Sequence, residues 1–297
     1  MSGSRAYPVR GVLLLLVTAW AACAACAHAP GRGMRAPRGV RAVEPDSVTV
    51  GLWRMDETIG LDVAESGPFR LGGTAGVDTR TGYGRIGRAR EFTRSVNSFV
   101  FVPYNPVLEA GGALTVEAWI DPLEYGNYED TPIAGRWTPE AFQSSWLLSI
   151  VGRNNPPRDL IGPGEHTSLL GLGSGAGRLM FVFQPEEAGP ARSFFSSRAV
   201  ERERWTHVAA SYDGQIVRIY LNGQIDAQYA SPGRVRASEA PLMIGNYLDP
   251  RWLTRFSGDL RVGTNADQIG YYAFVGLIDE LRVSSSPRPG FPHARGP

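Results

Sequence analysis

Residues 204–228 read RWTHVAASYDGQIVRIYLNGQIDAQ, and this stretch decides the fold. Residues 205–212 are apolar and β-branched enough for a strand. Asp213-Gly214 then offers a hairpin turn, because glycine accepts the positive φ that a primed turn demands. Residues 216–221 suit a second strand, Asn222-Gly223 a second turn, and residues 224–229 a third strand. Two Asx-Gly turns at this spacing predict an antiparallel meander.

Outward from the meander, alternation is clearest in residues 113–121. Leu114, Val116, Ala118 and Ile120 point one way and are the expected core face. Thr115, Glu117, Trp119 and Asp121 point the other way, toward solvent or a ligand. Further strands are expected at 48–54, 89–93, 98–102, 146–151, 169–172, 179–184, 194–200, 242–245 and 274–284. Between them lie a glycine-rich segment at 72–87 and two long connections, 124–145 and 248–272. Within 274–284, Ile278, Leu281 and Val283 cannot share one face of a regular strand. A β-bulge at Asp279-Glu280 would restore the phase.

Composition agrees. The 36 glycines and 22 prolines among 297 residues suit many turns between short strands, and no apolar i, i+3, i+4, i+7 pattern is sustained, so little helix is expected. With the ends set aside, about 235 residues remain, enough for one large sandwich. The formal charge of +1 selects no partner class. Every basic residue is arginine, which removes Schiff-base chemistry and a phosphate-loop lysine. The two cysteines are Cys23 and Cys26, so the body carries no disulfide and depends on its core.

The ends read differently from the body. Arg5 and Arg10 precede a greasy segment at 12–27 that is short for a membrane span, so residues 1–29 read as an export signal. Trp20-Ala21-Ala22-Cys23 is similar to a bacterial lipoprotein box and marks Cys23 for lipidation; Cys26, or ordinary cleavage after Ala29, is the alternative. One acylated cysteine would tether the chain to a membrane without spanning it. Residues 30–46 read as a linker in which Arg32, Arg35, Arg38 and Arg41 recur among Gly, Pro and Ala. It is either a solvated spacer or a contact to an anionic surface. Residues 47–286 are the expected domain and 287–297 a disordered tail. The expected location is extracytoplasmic, in a bacterial envelope or secreted.

The run W-x-H-V-A-x-x-Y-D-G at 205–214, followed by I-Y-L-N-G at 219–223, resembles the laminin-G-like, concanavalin A-like jelly rolls of secreted bacterial proteins. Three more pieces fit the same pattern in order: GLWRMDE at 51–57, LTVEAWI at 114–120 and GLIDELRV at 276–283. The resemblance covers roughly residues 48–286 and implies an all-β, antiparallel two-sheet jelly-roll β-sandwich. In some members it also implies a structural calcium ion, held by the early loop and the aspartate of the closing Asp-Glu. Carried over residue by residue, the ligands are Asp62, Glu65 and Asp279, with Glu65 standing where aspartate is commoner. The alternative is an Asp279 hydrogen-bonded to loop amides without a metal.

The reading of function that follows is non-catalytic recognition or adhesion, with a glycan or a surface protein as partner. Candidate ligand-binding residues are Trp119 and Glu117 on the outward face, and Trp137, Trp252, Tyr271 and Tyr272 in the long connections. For each aromatic the alternative is a ring that pins its loop to the body. A second class is a structural subunit that docks on another envelope protein. A third is a glycoside hydrolase, since related laminarinase-like jelly rolls carry Glu-x-Asp-x-Glu on one strand. Here Glu117 and Asp121 flank a tryptophan instead. Retaining chemistry needs carboxyls about 5–5.5 Å apart, whereas Cα atoms at i and i+4 of a strand lie about 13 Å apart, and Glu-Asp closes that gap less readily than Glu-Glu. The four histidines have no zinc-site spacing. There is no G-x-S-x-G elbow and no nucleic-acid motif.

Overall fold

Short β-branched and aromatic runs, punctuated by Gly, Asn and Asp, build two antiparallel sheets. The computed structural model describes residues 40–126, 130–138, 144–153, 175–263, 273–291 and 294. The expected export signal, Cys23, most of the arginine linker, the strand at 169–172, Tyr271 and Tyr272 lie outside the described residues.

In chain order the strands are β1 (Thr49–Trp53), β2 (Asp62–Val63), β3 (Gly73–Ala75), β4 (Arg80–Tyr83), β5 (Arg88–Phe92), β6 (Val100–Val102), β7 (Leu114–Pro122), β8 (Thr131–Arg136) and β9 (Trp146–Ile150). They continue as β10 (Arg178–Phe183), β11 (Arg192–Ala199), β12 (Thr206–Tyr212), β13 (Ile216–Leu221), β14 (Gln224–Ala230), β15 (Leu242–Ile244), β16 (Leu253–Phe256), β17 (Asp259–Val262) and β18 (Gly276–Ser284). One sheet runs β14-β13-β12-β7-β18-β5-β4, with β1 also on β18; the other runs β11-β10-β9-β8-β15-β6-β3-β2. Strands β16 and β17 form a separate ribbon.

The expected meander is β12-β13-β14. Asn222 and Gly223, at φ 51° and 74°, make its second turn, as a type I′ pair requires. In the first turn the central pair is Gly214-Gln215, one residue on from the expected Asp213-Gly214. Gly214 sits at φ 86°, and Asp213 Oδ1 accepts from the N–H groups of Gln215 (2.9 Å) and Ile216 (2.7 Å).

The core lies between the two sheets. Leu114, Val116, Ala118 and Ile120 of β7 pack there with Leu148, Phe181 and Ile244 of the facing sheet, as the alternation of residues 113–121 predicts. Ile278, Leu281 and Val283 join the same cluster. They do so because β18 shifts register against β7 between Asp279 and Arg282, with Glu280 at φ 50°. The expected bulge is therefore present. It divides β18 between two neighbours: residues 276–278 pair with β5, and residues 281–284 with β1.

Six strands arise where loops were expected. β2 forms in the loop that follows β1, β3 and β4 in the glycine-rich segment, β8 in the first long connection, and β16 and β17 in the second. β8 reads TPIAGR, and its proline coincides with a register shift between Pro132 and Ala134. A proline at a bulge is compatible with a buried strand, although in sequence it argues against one.

Candidate functional site

The outer face of β7 is covered. Alternation puts Thr115, Glu117, Trp119 and Asp121 opposite the core as expected, yet all four are buried. Two terminal segments provide the cover. Thr115 Oγ1 donates to the Ser286 carbonyl (2.8 Å) and accepts from Arg288 N–H (3.1 Å). Tyr220 O–H donates to the Arg288 carbonyl (3.2 Å). Phe291, fully buried, packs with Trp119, Ala209 and Tyr220. From the other terminus, Val43 is buried, and its N–H donates to Glu280 Oε2 (2.8 Å). Arg288 joins the two segments through Asp46, whose carboxyl it holds well below the usual carboxylate range. Among the described residues of the 30–46 and 287–297 stretches, Val43, Phe291 and Ala294 are buried, whereas Arg41, Glu44, Pro45 and Asp46 stay exposed.

Glu117 is consequently not the exposed carboxylate expected from the sequence. Its Oε1 accepts from Arg282 Nε (2.7 Å) and also from Arg282 Nη2, and its Oε2 lies 2.9 Å from His207 Nε2. Arg282 Nη1 donates to the Glu44 carbonyl (3.0 Å), so the buried pair also binds the N-terminal segment. These partners occupy both carboxylate oxygens and leave Glu117 no lone pair aimed at solvent.

Past this cover, at the Trp119–Asp121 end of β7, a cleft of about 500 Å³ opens. Strand β7 contributes Trp119 and Asp121, the turn before β12 contributes Glu203, Arg204 and Trp205, and the β13–β14 turn contributes Asn222. Arg85, between β4 and β5, and Ala294 complete the lining. Local chemistry fixes each part. Glu203 takes φ 57°, and its N–H donates to the Pro122 carbonyl (2.8 Å), fastening that turn to the end of β7. Asn222 Oδ1 accepts from His207 N–H (3.1 Å). The Arg85 guanidinium lies 4.9 Å from the Trp119 ring centroid, a cation–π contact.

Three buried polar atoms in this wall have no hydrogen-bond partner: Trp119 Nε1, Arg85 Nε and Asp121 Oδ1. Burial first, then the neighbouring Glu203, raises the Asp121 carboxyl above its ordinary value. Buried polar atoms are almost always paired in folded proteins. All three atoms are closed to solvent in this structure, so they lie within the wall and not on its surface. Arg85 and Trp119 hold each other without a ligand. Of this cleft, sequence reasoning picked out Trp119 as a ligand-binding candidate and placed Asp121 on the same outward face. Arg85, Glu203, Arg204, Trp205 and Asn222 come from three turns distant in sequence, and only the fold brings them together.

The expected calcium ligands are not gathered. Glu65 is occupied by loop amides, with Oε1 accepting from Leu52 N–H (2.9 Å) and Gly67 N–H, and Oε2 from Leu71 N–H (3.2 Å). Asp62 is exposed on β2. Asp279 is fully buried at the bulge, and its Oδ2 accepts from Ile86 N–H (2.9 Å). Desolvation, with Glu280 and Asp56 nearby, pushes its carboxyl up to about 9. Among the described residues no three His, Cys, Asp or Glu side chains are grouped to hold a metal ion. Asp62, Glu65 and Asp279 do not fit calcium as a set. Instead Asp279 holds the backbone at Ile86, next to Arg85.

The remaining aromatic candidates separate. Trp137 is buried against Leu147, Met180 and Val182 on the outer face of the second sheet, so it pins its connection to the body. Trp252 is partly exposed at the foot of the β16–β17 ribbon. Among the described residues no helix is long and apolar enough to cross a membrane.

A family model described as the concanavalin A-like lectin/glucanases superfamily matches residues 92–261. The match spans more than half of the 297 residues, and the chain belongs to that superfamily. Solved structures share the fold at low identity. The binding domain of Paraclostridial Mosquitocidal Protein 1 is 11% identical with a TM-score of 0.53, covering 81% of this chain and 49% of that one. Domain 4 of AbnA, a GH43 extracellular arabinanase from Geobacillus stearothermophilus solved with arabinotriose, is 18% identical with a TM-score of 0.50, covering 83% and 96%. The botulinum neurotoxin serotype G binding domain is 12% identical with a TM-score of 0.50, covering 81% and 48%. The chain thus spans about half the length of the first and third of these structures. No curated protein matches the chain.

Proposed function

We propose that the chain is a non-catalytic recognition module that takes a glycan in the cleft beside Trp119 and Asp121. The observation that carries this reading is the set of unpaired polar atoms, Trp119 Nε1, Arg85 Nε and Asp121 Oδ1, in the wall of one cleft. These atoms are closed to solvent in the free chain; on ligand entry the wall gives enough for a sugar hydroxyl to accept from the indole and guanidinium N–H groups and to donate to the Asp121 oxygen. Trp205, half-buried at the same wall, offers an apolar ring for the sugar's C–H face. The Trp119 ring is not the stacking platform, because Arg85 and Phe291 already flank it.

Two further points support the reading. Similar folds include a domain solved with arabinotriose and a neurotoxin whose cell entry is described as dependent on two ganglioside molecules. The acid once placed at the centre of a hydrolase reading, Glu117, is held by Arg282 and His207. An extracytoplasmic location, with Cys23 as the lipidated residue, belongs to the same proposal and rests on the signal-like residues 1–29.

The test is a glycan array probed with the chain, followed by calorimetry on any oligosaccharide retained. Trp205→Ala and Asp121→Asn each weaken binding about tenfold, the loss of one stacking or one hydrogen-bonding contact. A blank array, or binding unchanged in both variants, rejects the cleft as the glycan site.

A further inference from the structure

The charges around the cleft do not balance. Four charged side chains line it: Arg85, Asp121, Glu203 and Arg204. Arg204 is already matched, because its Nη1 lies 2.7 Å from Glu201 Oε2. Arg85 is held against the Trp119 ring. No cation acts on Asp121: burial first, then Glu203, displaces its carboxyl, and both push it up. Glu203 is fixed through its backbone N–H to the Pro122 carbonyl (2.8 Å), and its exposed side chain forms no ion pair among the described residues. Two carboxylates thus share the cleft with one guanidinium that has no acid partner, and with both acids ionised the excess is one negative charge.

The burial of Asp121 makes that excess costly. The residue keeps only 8% of its surface, and its Oδ1 is shut in without a hydrogen-bond donor. A carboxylate taken out of water needs a cation or a set of donors around it. Other buried acids of this chain have them. Glu117 has Arg282 and His207, and Glu280 has Arg54 and the Val43 N–H. Asp121 has neither. The uncharged Trp119 Nε1 in the same wall is unpaired as well, so the missing partner is not a matter of acids alone.

A neutral hydroxyl would give Asp121 a donor and leave the charge. An ammonium group supplies both, since it donates hydrogen bonds and carries the missing positive charge. We infer that the glycan taken by the cleft is an amino sugar with an unsubstituted nitrogen, its ammonium group directed at Asp121 and Glu203. This inference rests on the glycan reading above; the ammonium replaces a hydroxyl as the donor to Asp121, and the indole and guanidinium N–H groups remain for hydroxyl oxygens. Acetylation of the nitrogen removes the charge, so the cleft distinguishes a deacetylated ring from an acetylated one.

The test is calorimetry of the full chain with a glucosamine tetrasaccharide and with its fully N-acetylated counterpart, under conditions that keep the free amines protonated. The amino form is expected to bind at least about tenfold more tightly, the difference made by one charge-assisted hydrogen bond, and salt to narrow the gap. Asp121→Asn and Glu203→Gln are each expected to reduce that preference about tenfold. Asp121→Asn removes a buried charge that has no partner, so it keeps or raises the melting temperature, and its lost preference is not unfolding. Three results would each overturn the inference and leave the glycan reading standing: equal affinity for the two tetrasaccharides, a preference unaltered by both variants, or no affinity for the amino form alongside a neutral glycan retained on the array. A lysine peptide bound as tightly as the amino sugar would also overturn it, because charge alone would then suffice. A blank array rejects the glycan reading and this inference with it.

Discussion

Glu117 shows how a single side chain can be placed correctly and still be misjudged. Alternation in residues 113–121 assigns it to the outer face, and there it lies. Its burial depends on Arg282, 165 positions away, and on terminal segments whose composition reads as solvent-exposed. No local pattern encodes that cover. The pair makes a sharp expectation. Arg282→Ala leaves a buried carboxylate with half its partners gone and should cost about 3–5 kcal/mol in chemical denaturation. A Glu117→Gln/Arg282→Met double variant, which removes both charges, should lose much less. Equal losses in the single and double variants would show that packing, not the charge pair, dominates. Asp279 gives a second expectation, with a defined sign. Its carboxyl is pushed up to about 9 in the folded chain, against an ordinary value of 3.8. The folded state therefore holds a proton that the unfolded state releases, and stability falls as pH rises from about 4 toward that value. Asp279→Asn removes this slope, so melting curves of the two proteins should diverge in the variant's favour from pH 5 to pH 8. A constant difference across that range would mean that Asp279 is already ionised in the fold.

At the scale of elements, strands with uninterrupted alternation or bracketing Asx-Gly turns were legible, and the closing bulge was legible from its broken phase. β8 was not, because Pro132 and Gly135 argue against a strand unless the bulge that accommodates the proline is known. The β16–β17 ribbon was not, because LTRF and DLRV are too short to show a period. The C-terminal segment was hidden for a third reason: its described residues form no strand and are held by what they touch. Phe291 is its anchor, packed on Trp119, His207 and Tyr220. Phe291→Ala should cost about 3–5 kcal/mol, in the range for a buried aromatic truncation. It should also shift tryptophan fluorescence to the red as Trp119 meets water. A variant with wild-type stability and emission would place the segment off the sheet.

For the whole molecule, four ordered motifs sufficed for the sandwich, because a jelly roll is specified by which residues face inward and where the chain turns. The site was legible only in part. Trp119 stood out as an aromatic on an outward face, but Arg85, Glu203, Trp205 and Asn222 reach the cleft from three separate turns, and their convergence is a property of topology. The family resemblance also implied calcium at Asp62, Glu65 and Asp279, residues that the fold keeps apart. A fold shared by many functions does not choose a ligand, and the polar atoms of the cleft carry that part of the account.

The most direct measurement is the set of indole N–H resonances during titration with an oligosaccharide retained on the array. The chain has seven tryptophans, and Trp119→Phe and Trp205→Phe assign the two signals of the cleft. The account predicts that the Trp119 Nε1–H resonance moves downfield as it gains an acceptor and that the Trp205 signal moves with the same affinity. Shifts confined to Trp137 or Trp252, with the Trp119 and Trp205 signals unmoved at saturation, would contradict it.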